Sequence, residues 1–183
     1  MSVSLRAIIE SDLENIMRWR MSEDVTKYMN TNPKLTLEGQ KKWLAGVNSN
    51  KDVRYWLIEI DGKPAGVVNI TGLNNVDGII STGTYVGEKA LRSLMNALSL
   101  TMSMFDYIFL NLKKQSIHIE VFSLNTGVIR LNKMCGYDIL EEKKNHILKE
   151  GIYYDVTFMG ITADKWLRIR DNKRYQHITI PDI

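Results

Sequence analysis

The stretch IHIEVFSLNTGVIRLNKMCGY, from Ile117 to Tyr137, limits what this chain can fold into more than any other segment. Ile117, Ile119 and Val121 alternate with His118 and Glu120, the period of a strand with one apolar face. Asn125 stands where a helix N-cap belongs, ahead of Val128, Ile129, Leu131 and Met134. Gly136 stands where a glycine closes such a helix, and Tyr137 begins the next strand. A strand therefore passes through one short polar turn into a helix, with a His and a Glu on its polar face.

The rest of the chain supplies the frame. Ser2 to Ile9 reads as a first strand, and Ser11-Asp12-Leu13-Glu14 as a capping box for a helix carrying Leu13, Ile16 and Met17. Arg18, Trp19 and Arg20 end that helix with cations favourable to its dipole. Val25 to Leu35, with Tyr28, Met29, Asn30 and Pro33, reads as a loop, and Thr36 as the cap of a helix carrying Trp43, Leu44 and Val47. Tyr55 to Ile60 and Ala65 to Thr71 flank an Asp61-Gly62 turn, a hairpin signature. A strand over Ile80 to Val86 precedes an apolar helix over Leu94 to Leu110. After the opening segment, Tyr137 to Lys143 and Tyr153 to Ile161 form a last hairpin around Glu150-Gly151, and Ala163 to Arg170 a short helix. The order is β-α-α-β-β-β-α-β-α-β-β, which neither a doubly wound parallel sheet nor a β-sandwich produces.

With 183 residues, 44% of them hydrophobic, and no linker-like break, the chain has material for one well-buried domain. Residues 1–170 are assigned to it, and 171–183 to a polar C-terminal tail expected to be loose. The net charge of +3 does not call for nucleic acid but suits a phosphate-rich ligand. The single cysteine, Cys135, excludes an internal disulfide framework and points to a reducing compartment; its expected role is that of a small buried residue. No apolar run reaches the roughly 18 residues of a membrane span, and no signal-peptide pattern opens the chain, so a cytoplasmic protein without membrane attachment is expected. No cluster has metal-ligand spacing, and no nucleophilic triad is visible.

Several fragments together resemble the GNAT N-acetyltransferases, in their ribosomal-protein-acetyltransferase-like branch. These are LRAIIESDLENIMRWR, Arg54 to Ile58 with Gly62 to Gly66, Thr84-Tyr85-Val86-Gly87, Glu120-Val121 with Asn125, and Gly151 to Val156 with Met159 and Trp166. Within that branch the pieces are most similar to the enzymes of pseudaminic acid biosynthesis that acetylate the 4-amino group of a UDP-linked amino-dideoxy sugar. The resemblance covers nearly the whole chain to about Trp166 and rests on order and spacing rather than on one motif. It implies an α/β (α+β) fold with a mostly antiparallel mixed sheet, splayed between its fourth and fifth strands to admit acetyl-CoA.

The resemblance also implies roles. Glu120 becomes a base acting directly or through water, with His118 two residues earlier on the same face; Tyr85 becomes a substrate or thioester contact. Val86 and Gly87 are assigned backbone contacts to the thioester carbonyl, and Asn125 a pantetheine contact besides its capping role. Arg92-Ser93-Leu94-Met95-Asn96-Ala97 corresponds to the pyrophosphate loop, with Arg92, Ser93, Met95, Asn96 and Ala97 as coenzyme-binding positions. Tyr28, Met29 and Asn30, with Tyr154 and Asp155, are expected to line the acceptor site.

Two positions depart from the family pattern. Met95 replaces a glycine in the pyrophosphate loop, where a side chain opposes positive φ and crowds the phosphate. Asn132 replaces the tyrosine that protonates the departing thiolate; an amide can donate a hydrogen bond to sulfur but cannot act as that acid, which leaves an unassisted thiolate or a group such as Tyr137. The leading expectation is acetylation of an amine on a nucleotide-linked amino sugar by direct attack. Acetylation of a protein N-terminus or small amine, and a non-catalytic ligand-binding module, stand as alternatives. A homodimer is expected through the edge of the final hairpin.

Overall fold

The structure is a computed structural model that describes residues 2–183. Its elements follow the expected order with one short helix, α2, added: β1 (Val3–Ala7), α1 (Leu13–Arg20), α2 (Glu23–Thr26), α3 (Leu37–Ser49), β2 (Val53–Ile60), β3 (Lys63–Thr71), β4 (Ile79–Val86), α4 (Leu94–Asp106), β5 (Ser116–Phe122), α5 (Thr126–Cys135), β6 (Asp138–Lys149), β7 (Ile152–Thr162) and α6 (Ala163–Ile169). The strands form one sheet in the order β1-β2-β3-β4-β5-β7-β6. Every pairing is antiparallel except β4 with β5, whose connection crosses over through α4.

Turn chemistry fixes the two hairpins foreseen from sequence. Asp61 and Gly62 have φ of 49° and 72°, and Glu150 and Gly151 have 49° and 79°, the left-handed pairs that match strand twist in two-residue loops. On one face of the sheet, Trp56, Ile58, Val68, Ile70, Ile80, Ile117, Met159 and Ile161 pack with Leu98, Phe105 and Ile108 after β4 and with Trp166 of α6. On the other face, Leu57 and Val67 meet Leu13, Ile16 and Trp19 of α1 and Leu44 of α3 in a smaller core. Among the described residues, no helix is long and apolar enough to cross a membrane.

Four local expectations are revised. The capping box at Ser11 and Glu14 does not form: a 3-10 turn, Glu10–Asp12, precedes α1, and Asp12 instead accepts the Ile9 amide at 2.9 Å. The loop from Val25 opens inside α2. The helix from Leu94 ends at Asp106 and continues to Asn111 as a π turn, which the apolar pattern does not reveal. The tail beyond residue 170 is not loose, because Ile178 and Ile180 are buried in the main core. Ser99 Oγ and Ser103 Oγ of α4 accept the Gln176 and Ile178 amides, and Trp56 Nε1 donates to the Pro181 carbonyl at 2.9 Å.

Candidate active site

β4 and β5 touch through two residue pairs only, Ile79 with Ser116 and Ile80 with Ile117, and then part. Because the strands are parallel, their C-terminal ends open toward the same edge, the position where open sheets hold ligands. Each strand leads into a helix there: β4 into α4, capped by Ser93, and β5 into α5, capped by Asn125. The register also sets the faces. Ile80 lies beside Ile117, so Gly83 and Tyr85 of β4 share a sheet face with His118, Glu120 and Phe122 of β5. The sequence-predicted pair Tyr85 and Glu120 thus lies on one face of the splay, one from each diverging strand, with His118 next to Glu120 as its period predicts.

Glu120 is exposed and its carboxylate has no hydrogen bond or ion pair among the described residues, as an accessible base requires. His118 is exposed too, but its ring edge lies beside Gly160 of β7. Tyr85 packs against the smaller core; burial pushes its hydroxyl well above the ordinary range, with the charge of Arg20 opposing part of the rise. A phenol so held stays neutral and serves as a hydrogen-bond donor rather than as an acid of useful strength.

The residues expected to line the acceptor site lie after α2 and on the β6–β7 hairpin. Lys149, only 7% exposed, donates through Nζ to the Thr26 carbonyl at 2.6 Å, tying the hairpin tip to the end of α2. Tyr28, Met29 and Asn30 follow this tie directly: Tyr28 is exposed, with Lys27 Nζ 4.9 Å from its ring centroid, and the Met29 amide donates to Thr26. Tyr154 stacks on Phe122 with ring centroids 4.9 Å apart, which brings it to the face of Glu120. Asp155 does not join them. Its neighbours along β7 alternate in face, and its carboxylate accepts from Lys144 Nζ and the Asn145 amide, both at 2.8 Å, holding the irregular stretch of β6. The Lys144 ammonium and that amide hold its pKa below the usual carboxylate range, and in the structure Asp155 braces β6.

On the coenzyme side the assignments divide. Gly87 cannot offer its amide to a thioester, because that N–H already donates to the Ala65 carbonyl at 2.7 Å. It is glycine for a packing reason: a Cβ there would overlap the Trp19 indole. The Val86 carbonyl accepts from Arg92 Nε at 2.9 Å, so Arg92 closes the turn while bringing a cation to the start of α4. Ser93 caps α4 by accepting the Asn96 amide on Oγ and the Ala97 amide on its carbonyl, which leaves the amides of Leu94 and Met95 without partners among the described residues. Two free amides, a helix dipole and Arg92 fit an anion such as a diphosphate. Met95 has ordinary helical backbone and is 59% exposed, so the missing glycine strains nothing and adds only a flexible side chain at the rim.

Asn125 accepts the Val128 amide at 3.4 Å through Oδ1, as an N-cap does. Asn132, about two turns further on, is buried, with Nδ2 donating to Met159 Sδ at 3.9 Å, so its amide packs α5 onto β7. Tyr137 offers no replacement acid: it is buried against Phe105 and hydrogen-bonded to Thr82, and burial pushes its hydroxyl far up. Burial likewise pushes the Cys135 thiol up to about 12, which leaves it inert.

Three functional neighbours escaped sequence reasoning. Lys149 carried no signal beyond its place before a turn. Glu88, which accepts from Trp19 Nε1 at 2.8 Å and from Arg18, fastens α1 to the turn after β4. Arg20 was read only as a helix-end cation; the tertiary fold half-buries it, encloses its Nη1 and brings its charge to bear on the Tyr85 hydroxyl.

Residues 5–158 match the acetyltransferase (GNAT) domain family. The SPbeta prophage-derived uncharacterized N-acetyltransferase YokL of Bacillus subtilis is 20% identical over 166 residues, covering 90% of this chain and 92% of that protein. Among solved structures, spermidine N-acetyltransferase from Vibrio cholerae in complex with CoA and spermine superposes with a TM-score of 0.83 at 20% identity, covering 90% of this chain and 98% of the other. A dodecameric structure of the Vibrio cholerae enzyme superposes with a TM-score of 0.76 at 20% identity, covering 90% and 96%. With its splayed β4–β5 pair, its two capped helix starts and this family match over most of its length, the chain belongs to the GNAT acetyltransferases and is an N-acetyltransferase.

Proposed function

We propose that the chain transfers the acetyl group of acetyl-CoA to a primary amine of a small molecule by direct attack. The observation that carries this reading is the placement of Tyr85 and Glu120 on one face of the splay, beside two helix starts. Acetyl-CoA supplies the activated acyl group; Ser93, the free amides of α4, Arg92 and Asn125 are the residues suited to hold it. As the amine forms its bond to the carbonyl carbon, the carbon–sulfur bond breaks, and the surplus amine proton passes to Glu120 directly or through water. The thiolate leaves without a strong protein acid, which a thiol of pKa about 8.5 permits. Tyr85 donates a hydrogen bond and stays protonated.

For the acceptor, the sequence resemblance favours a nucleotide-linked amino sugar, whereas the spermine-bound structural neighbour favours a polyamine. Self-association belongs to the same reading, because β6 is an edge strand that exposes Leu140 and Leu148. Thiol release from acetyl-CoA, measured with a panel of primary amines, tests the activity. Glu120→Gln should lower kcat/KM for an active amine by about 100-fold, with activity recovering as pH rises and more amine is neutral. Saturable CoA binding without thiol release from any amine would make the chain a binding module instead.

A further inference from the structure

Asn69 lies in β3, an interior strand, where a short polar amide is a poor strand former. It is half-buried, and its side chain makes no hydrogen bond among the described residues. Asn69 pairs with Gly83 of β4, and its amide lies across that glycine: a Cβ on Gly83 would stand 2.5 Å from Asn69 Oδ1 and 3.6 Å from Cγ. The φ of Gly83 is not positive, so backbone geometry does not call for a glycine there. Its missing side chain makes room for the amide, as a strand glycine does where another group comes close.

The register brings this amide to the splay. Ile80 and Ile117 form the last pair before β4 and β5 part, so three residues on Gly83 and Glu120 stand level across the gap and on the same face. Both are exposed. Asn69 reaches over Gly83 from one side, and the carboxylate of Glu120 stands on the other. Two polar side chains without hydrogen-bond partners among the described residues thus flank the opening between the strands.

We propose that Asn69 is an acceptor-binding residue whose amide oxygen accepts the N–H that a primary amine keeps, while Glu120 takes the proton that it loses. The proposal rests on the amine-acetylating reading of the same face. As the nitrogen bonds to the thioester carbonyl carbon, the carbon–sulfur bond breaks and its electron pair leaves on sulfur. One amine proton passes to Glu120, and the other N–H remains in the product amide. Acceptors on both sides aim the nitrogen lone pair at the carbonyl carbon. A secondary amine has no N–H left after its proton is transferred, and so leaves the Asn69 oxygen unpaired. The site therefore selects primary over secondary amines, and Gly83 is the position that lets the amide reach them.

Thiol release from acetyl-CoA is measured with three matched pairs: ethanolamine against N-methylethanolamine, glucosamine against its N-methyl derivative, and 1,4-butanediamine against N,N′-dimethyl-1,4-butanediamine. In a pair that is used, Asn69→Ala should lower kcat/KM for the primary amine by about tenfold, shrink its advantage over the methylated partner by the same factor, and leave KM for acetyl-CoA unchanged. Gly83→Ala places a methyl where the amide lies and should reproduce both effects. The double variant should then be no worse than either single one, since both remove the same contact.

Undiminished kcat/KM or undiminished selectivity in Asn69→Ala overturns the proposal while the acetyl-transfer reading stands, as does a double variant whose loss is the product of the single losses. Absence of thiol release from every amine overturns both. A thermal melt separates recognition from packing. Asn69→Ala removes no hydrogen bond among the described residues, so Tm should hold, and a fall of about 5 °C or more would mark Asn69 as a structural residue.

Discussion

Asp12 is 4% exposed and gripped from two sides, by Arg6 Nη1 and Nη2 at 2.7 and 2.8 Å and by the Ile9 amide. Burial by itself raises its pKa, but the Arg6 guanidinium and the amide outweigh burial, and the net shift is downward. A folded pKa below the unfolded one means that Asp12 stabilises the fold above the unfolded value of about 3.9, and that this contribution is lost as pH falls through the depressed folded value. Asp12→Asn should therefore cost about 2 kcal/mol at neutral pH and flatten the acid limb of stability below about pH 4, as followed by denaturant melts across pH. At this scale the sequence is legible only where the partner is close in the chain. Asn125 could be read as a cap because the amide it accepts lies three residues on. Asp155 could not be read as a strut for β6, because Lys144 and Asn145 reach it only across a hairpin with an irregular register. Gly87 was read as a coenzyme contact when its absent side chain makes room for an indole that sequence separation hides.

α5 is the element whose limits were clearest from sequence, and its ends explain why. Asn125 accepts the Val128 amide at the start; at the end Gly136 has φ of 118°, and the Gly136 and Tyr137 amides both donate to the Asn132 carbonyl. Asn125→Ala should cost about 1 kcal/mol in a denaturant melt. The same variant should raise KM for acetyl-CoA if this helix start meets the coenzyme, a pairing of effects that a purely structural cap would not give. α4 is the contrast. Its apolar periodicity runs past Asp106 without a break, yet the backbone shifts to a π turn there, where Asp106 accepts from Trp166 Nε1 at 3.0 Å and also binds Tyr175 and Arg170. Nothing within the helix announces a carboxylate that gathers α6 and the tail.

The whole molecule is fastened by the segment that composition marked as loose. Ile178 and Ile180 enter the core, and Tyr107 Oη donates to Asp182 at 2.7 Å beside Arg54. Ending the chain after Lys173 should cost about 3–6 kcal/mol from those two isoleucines alone, read as a lower denaturant midpoint, since each buried side chain contributes roughly 1.5–3 kcal/mol. Most of the order of elements, the hairpin turns and the caps of α3 and α5 followed from the sequence itself, because each depends on residues within a few positions or on hydrophobic period; the parallel pairing of β4 with β5 did not. Tertiary structure alone decided that Asp155 is a strut and Gly87 a seat for Trp19, and that Arg20 Nη1 is enclosed with no hydrogen-bond partner among the described residues. Those outcomes are set by partners far apart in sequence, and a buried polar group acquires its meaning only from what the fold does or does not place against it.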